Sequence, residues 1–210
     1  MTVSLHAPRQ PSRPAGHGRG EAHSQGGGAP RLAGLPTPSP LQLVPQPEGL
    51  LQIHTAPFRG SVAAVFSQAL RTAGLGSRVL VSQFLRGGVE QGVAGSLSLC
   101  GRLQWLRPAT PLCIEEPLDQ ASDREAAEAA LEAVLEVWSY SRERLLEGSV
   151  DLMVLDELGL AIELGYLEAA EVTATLERRP AHLDVIVTGP SMPAELMAMA
   201  DQVTQLRRCA

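Results

Sequence analysis

The segment that most constrains the fold runs from residue 50 to residue 84. Leu50-Leu51-Gln52-Ile53-His54-Thr55 reads as a buried strand, and Ala56-Pro57-Phe58-Arg59-Gly60 follows as a short loop. From Ser61 to Ala73, Val62, Val65, Phe66, Ala69 and Leu70 recur at helical spacing. Gly74 and Gly76 stop that helix, and Arg78 to Phe84 gives a second strand. Strand, turn, helix and strand in this order form a βαβ unit, because parallel neighbours need a long crossover between them. The right-handed crossover then places helices on the sheet faces.

The rest of the chain repeats the alternation. Gly87 to Gly101 is rich in Gly and gives no clear element, and Arg102 to Leu106 reads as a short strand. Ser122-Asp123-Arg124-Glu125 has the form of a capping box, with the Ser122 hydroxyl as the expected acceptor. The helix it opens is expected to run to about Leu146, burying Ala127, Leu131, Val134, Leu135, Trp138 and Leu145 before Gly148 ends it. Val150 to Leu155 is a strand ending at Asp156-Glu157, Leu167 to Leu176 a helix, and Leu183 to Thr188 a strand. Pro193 to Met199 and Gln202 to Leu206 supply a short helix and a last strand. The fold class is therefore α/β with a parallel sheet. Ligands of such sheets bind at the strands' C-terminal ends, where the loops after Thr55, Phe84, Asp156 and Thr188 gather.

Residues 1–48 read differently. Pro, Gly, Ser, His and Gln dominate, and such a segment cannot bury enough apolar surface to offset its ordering entropy. It is expected to be a disordered arm before a domain spanning 49–210. Four Arg and two Glu give the arm +2, so the chain's −6 rests on a domain at −8. That charge argues against nucleic acid as a partner. No run of about 18 apolar residues occurs, so no membrane span is expected. The three cysteines, Cys100, Cys113 and Cys209, have no metal-ligand spacing and are odd in number. Buried thiols in a reduced, cytoplasmic protein are the expectation.

A loop between a strand and a helix cradles phosphate when its amides and the helix dipole converge. The usual signature is GxxxxGK followed by Ser or Thr. Here Gly60 holds the second glycine position, while Ala56 stands at the first, Ser61 at the lysine and Val62 at the magnesium-binding hydroxyl. All 17 basic residues are Arg, so no lysine can reach in from elsewhere. Arg59 is the one local cation the loop itself offers.

Several blocks carry a more specific resemblance. Val81-Ser82-Gln83-Phe84-Leu85-Arg86-Gly87 resembles a "VVQFIKG" strand, and Met153 to Leu158 resembles "VVLDEL". Gly165-Tyr166-Leu167 resembles "YDYL". Arg179-Pro180-Ala181-His182 with Val185 to Gly189 resembles "RPxHxxVIxTG", and Ala200 to Arg207 resembles "ADTVSELR". In this order and spacing they are similar to the corrinoid (cob(I)alamin) adenosyltransferases, which have a RecA-type P-loop fold. The resemblance implies a three-layer α/β/α domain, with ATP, Mg2+ and a reduced corrinoid as the small molecules handled. It also implies transfer of the adenosyl group of ATP to cobalt, with triphosphate leaving. Asp156 and Glu157 fall at the catalytic acids, and Asp156 at the metal. Thr55, Arg59, Gly60, Ser61, Gln83, Thr188 and Gly189 fall around the nucleotide. A homodimer is compatible with this reading.

The departures fall where the chemistry sits. The family's "TGNGKGKTTAA" is Thr55 to Ala64 here, with the lysine and hydroxyl lost and Pro57 removing one backbone amide. Gly159 replaces the polar residue after "DEL", Pro190 replaces the Arg of "TGR", and the aromatic "FTWET" segment has no match between Leu106 and Ser122. A charge-assisted hydrogen bond contributes about 1.5–3 kcal/mol, so losing the lysine alone weakens phosphate binding by roughly tenfold to a few hundredfold. Two functions are open on these residues. One is an adenosyltransferase with weakened or lost ATP chemistry. The other is a non-catalytic homologue binding a nucleotide, a corrinoid or a protein. His54 is expected in the core or at its rim, and His182 in a structural hydrogen bond.

Overall fold

The computed structural model describes residues 48–60, 63–88 and 92–207. The expected arm lies outside these residues except for Glu48, as do Ser61, Val62 and Cys209. Seven strands form one sheet: β1 (Leu51–Thr55), β2 (Val79–Gln83), β3 (Leu97–Leu99), β4 (Leu103–Leu106), β5 (Leu152–Asp156), β6 (Asp184–Gly189) and β7 (Gln202–Gln205). Their order is β3-β4-β2-β5-β6-β1-β7. Six strands are parallel and β3 alone is antiparallel, on β4. The α/β parallel-sheet class expected from the sequence is the one observed, and it agrees with a P-loop NTPase-like fold.

The helices are α1 (Ala63–Gly74), α2 (Arg124–Glu147), α3 (Leu158–Glu163), α4 (Ala169–Glu177) and α5 (Ala194–Met199). Alternation within each central strand divides the core in two, as buried parallel strands require. Val79 and Val81, Leu103, Leu152 and Val154, and Ile186 face α1, which buries Val65, Ala69 and Ala73 against them. Leu80, Met153, Leu155, Val185 and Val187 face the other way, with Leu51 and Ile53, and pack on α2, α3 and α4. With aromatics at 3%, Leu, Val and Ala fill both layers. A buried hydroxyl pair, Ser82 Oγ to Ser141 Oγ at 2.7 Å, seats α2 on β2. Ser141 is itself anchored to the Val137 carbonyl.

Several local expectations need correction. The N-cap of α2 is Asp123, whose carboxylate accepts the Ala126 N–H at 3.1 Å; Ser122 instead bonds to Glu116. Asp123 wins because it directly precedes the first helical residue in extended backbone. Leu135 and Leu70 are exposed at 43% and 42%, because the apolar stripe of each helix is narrower than its run of Leu and Val suggests. α2 buries Ala127, Val134, Trp138 and Leu145 as expected and Ala130, Ala133, Val137 and Ser141 besides, while Leu131 is half-buried. The Gly-rich stretch holds β3, joined to β4 through Cys100 and Gly101, both at positive φ. Two such residues make the tight turn that matches strand twist, and Cys100 is an unusual occupant of it. Cys100 and Cys113 are exposed, not buried, since one sits on that turn and the other on an extended loop. His54 is half-buried with Nε2 unpartnered, and His182 is exposed, its ring against Gly148. No helix among the described residues is long and apolar enough to cross a membrane.

Candidate functional site

The C-terminal ends of β1, β2, β5 and β6 bring together residues that lie far apart in the chain. Parallel register sets Gln83 of β2 beside Asp156 of β5, and Thr55 of β1 beside Gly189 of β6. Asp156 is 1% exposed. Its carboxylate accepts Gln83 Nε2 at 2.6 Å and Thr188 Oγ1 at 2.7 Å. Burial pushes the Asp156 pKa up, and those two donors only partly offset it.

The orientation of Gln83 is fixed by chemistry. Its Oε1 faces Trp105 Nε1 at 2.9 Å and Arg107 Nε at 2.8 Å. Both of those are donors only, so the amide oxygen must meet them and the NH2 must meet Asp156. Trp105, which has no counterpart role in the resemblance, stacks on Phe66 of α1 at 5.1 Å and so braces this amide. Thr188 Oγ1 also accepts the Glu157 N–H at 3.2 Å, linking both acids to β6.

Glu157 is 3% exposed and adopts φ 61°, a left-handed conformation that costs a non-glycine residue about 1–3 kcal/mol. The turn at Glu157 opens α3, a helix that sequence periodicity does not reveal because its six residues are too few to repeat a stripe. Its carboxylate receives the Arg59 fork: Nε to Oε1 at 2.8 Å and Nη2 to Oε2 at 2.7 Å. This bidentate geometry is the strongest a guanidinium and carboxylate can make. Arg59 also donates Nη1 to the Ile114 carbonyl at 3.0 Å and Nη2 to the Leu85 carbonyl at 3.3 Å. Four of the five N–H groups of Arg59 are therefore engaged within the protein.

Arg59 is not the only local cation. Arg86, from the loop after β2, stands 3.5 Å from Glu157 Oε1. Its guanidinium also lies beside Gly60. The sequence placed Arg86 in the "VVQFIKG"-like block, but nothing in local spacing shows that it turns toward Glu157.

Arg59, Gly60, Asp156, Glu157, Thr188 and Gly189 line one small cavity of about 10 Å3. That is about one water's worth of space, far below a triphosphate. Thr55 does not line it; its carbonyl takes the Leu206 N–H at 2.9 Å. Ser61 lies outside the described residues.

A magnesium ion needs near-octahedral oxygen ligation at about 2.0–2.1 Å. Both oxygens of Asp156 and both of Glu157 already hold protein donors, and the Arg59 guanidinium forks onto the Glu157 carboxylate. Among the described residues no three His, Cys, Asp or Glu side chains converge as ligands. The side chains at this site do not fit a magnesium ion.

Comparison with known proteins agrees with the architecture. Residues 47–210 match the family model of the ATP:corrinoid adenosyltransferases BtuR/CobO/CobP. The chain is 33% identical over 159 residues to the corrinoid adenosyltransferase CobA of Salmonella typhimurium, covering 76% of each chain. It is 30% identical over 159 residues to the corrinoid adenosyltransferase of Escherichia coli, again over 76% of each. It is 30% identical over 158 residues to that of Pseudomonas aeruginosa, over 75% of this chain and 74% of the relative. With a family model spanning the whole described domain and relatives at this identity, the chain belongs to the ATP:corrinoid adenosyltransferase family.

Proposed function

We propose that this chain keeps the corrinoid adenosyltransferase scaffold while its ATP chemistry is weakened or lost. One observation carries the reading: the loop's cation is turned inward. Arg59 pairs with Glu157 and caps two carbonyls, so most of the guanidinium that could offset the missing lysine is already committed within the protein.

In the family's reaction cobalt attacks the ribose carbon and triphosphate departs. The protein's part is to position the reactants and to stabilise the departing polyanion with preorganised donors. Here those donors are few. The loop at Gly60, with the edge formed by Thr188 and Gly189, is what remains among the described residues to face a nucleotide, and Pro57 offers no N–H. Asp156 and Glu157 act as buried acceptors that hold Gln83, Thr188 and Arg59 in place. The bound small molecule on this reading is a nucleotide or a corrinoid held without efficient turnover.

The test is direct. The full chain is incubated with ATP, magnesium and chemically reduced cobalamin, and the adenosyl product is followed by its visible spectrum. The expected result is no product, or product forming orders of magnitude more slowly than with the Salmonella relative run beside it. Matching rates would sink the proposal. Calorimetric titration with ATP then measures residual binding. Ser61→Lys with Val62→Thr should raise ATP affinity by about tenfold or more, the scale of one charge-assisted bond. No change would mean that the inward Arg59, rather than the missing lysine, limits binding.

A further inference from the structure

Two carboxylates and two guanidiniums meet at the end of β5. Asp156 and Glu157 bring two negative charges, and Arg59 and Arg86 bring two positive ones. We propose that the Arg59 guanidinium is a tethered replacement for the divalent cation, so that this site is metal-free.

Three features support the replacement. The first is charge. The cluster is balanced as it stands, and a divalent ion added among these four groups would leave an excess of two positive charges. The second is connection. Arg59 joins four separate segments through one side chain: its own loop, the Glu157 turn, the Leu85 loop after β2 and the Ile114 stretch before α2. Leu85 is fully buried and Ile114 nearly so, and a metal that displaced Arg59 would take the donor from the Ile114 carbonyl and leave the Leu85 carbonyl with only the Ile114 N–H. The third is the geometry of Glu157. Its left-handed backbone and its N–H bond to Thr188 Oγ1 hold the carboxylate against Arg59.

The replacement also accounts for sequence departures that otherwise look unrelated. A site without a metal has no use for a ligating hydroxyl at position 62, where the sequence has Val62. It needs its cation supplied in the chain, and a guanidinium is a permanent charge of the right shape for a carboxylate fork.

The inference rests on the site described above but not on whether turnover survives. The full chain is titrated with Mn2+ alone and the free-ion signal is followed by electron paramagnetic resonance. In parallel, its melting temperature is compared in EDTA and in millimolar magnesium. The expected results are an undiminished Mn2+ signal at equimolar protein and no magnesium shift. Arg59→Ala frees Glu157, and its melting temperature should rise by about 3–6 °C in millimolar magnesium, the effect of a ligand at about ten times its dissociation constant. Arg59→Ala with Glu157→Gln should lose that rise. Tight Mn2+ binding by the unmodified chain would overturn the proposal. So would equal magnesium responses in the unmodified chain and Arg59→Ala. The Mn2+ titration needs no variant and decides even if Arg59→Ala does not fold. Adenosyl transfer that persists in EDTA would refute the loss of chemistry and leave this inference standing. Mn2+ binding without transfer would do the reverse.

Discussion

Removing Arg59 tests whether the clasp holds the domain together. Glu157 is 3% exposed and Arg59 27%, so the pair is largely shielded from water. Deleting one partner of a buried pair costs about 3–5 kcal/mol, because the other charge is left without compensation. Two features reduce that figure here. Arg59 is partly solvated, and Arg86 stands 3.5 Å away and can offset some of the Glu157 charge. The expected cost of Arg59→Ala is therefore about 2–4 kcal/mol, including the Ile114 carbonyl it uncovers. For a domain of this size that lowers the melting temperature by roughly 4–16 °C. Urea unfolding followed by the fluorescence of Trp105 and Trp138, both inside the domain, gives the number. Glu157→Gln in the Arg59→Ala background should recover part of the loss, since it removes the stranded charge. A cost under about 0.5 kcal/mol, the scale of an ordinary surface change, would refute the clasp. A second substitution that only adds to the first would refute it equally.

Asp123→Ala should cost about 1 kcal/mol by removing the cap of α2, whereas Ser122→Ala should stay within about 0.5 kcal/mol; thermal melts of both variants separate the two assignments. Gly159→Ala places a methyl group onto the Ser191 backbone carbonyl and should cost about 1–3 kcal/mol in urea unfolding; an unchanged midpoint would mean that the loop after β6 yields freely. Burial lowers the His54 pKa below its usual 6.5. The unfolded chain then takes up a proton at a higher pH than the folded one, so stability falls as pH drops from 6.5 through the folded value. His54→Gln should flatten that fall when urea midpoints at about pH 7.5 and pH 5 are compared. Equal slopes in both proteins would exclude His54 as the source.

Part of the site was legible in the chain because its residues sit at the ends of strands. The runs before Thr55, Gln83, Asp156 and Thr188 are buried strands, and their ends must meet in a parallel sheet. That is why the loops after these strands could be grouped from the chain alone, while the roles of Asp156, Glu157, Gln83, Thr188, Arg59 and Gly60 come from the family blocks around them. The exposed Cys113, the exposed Leu135 and the cap at Asp123 were less legible. Each depends on which neighbour covers a position or reaches a helix end first, and periodicity alone does not carry that information.

The sequence by itself determined the alternation of strands and helices, the parallel sheet and the family blocks, because hydrophobic period and turn residues act locally. It also determined that no lysine exists to serve the loop. Only the tertiary structure decided where the remaining cation points. Arg59 and Glu157 are 98 residues apart, and their fork forms only because β1, β6 and β5 lie side by side in register. Whether a guanidinium faces a ligand or its own protein depends on carbonyls and a carboxylate from three other segments. That competition is settled by packing, not by the spacing of residues along the chain.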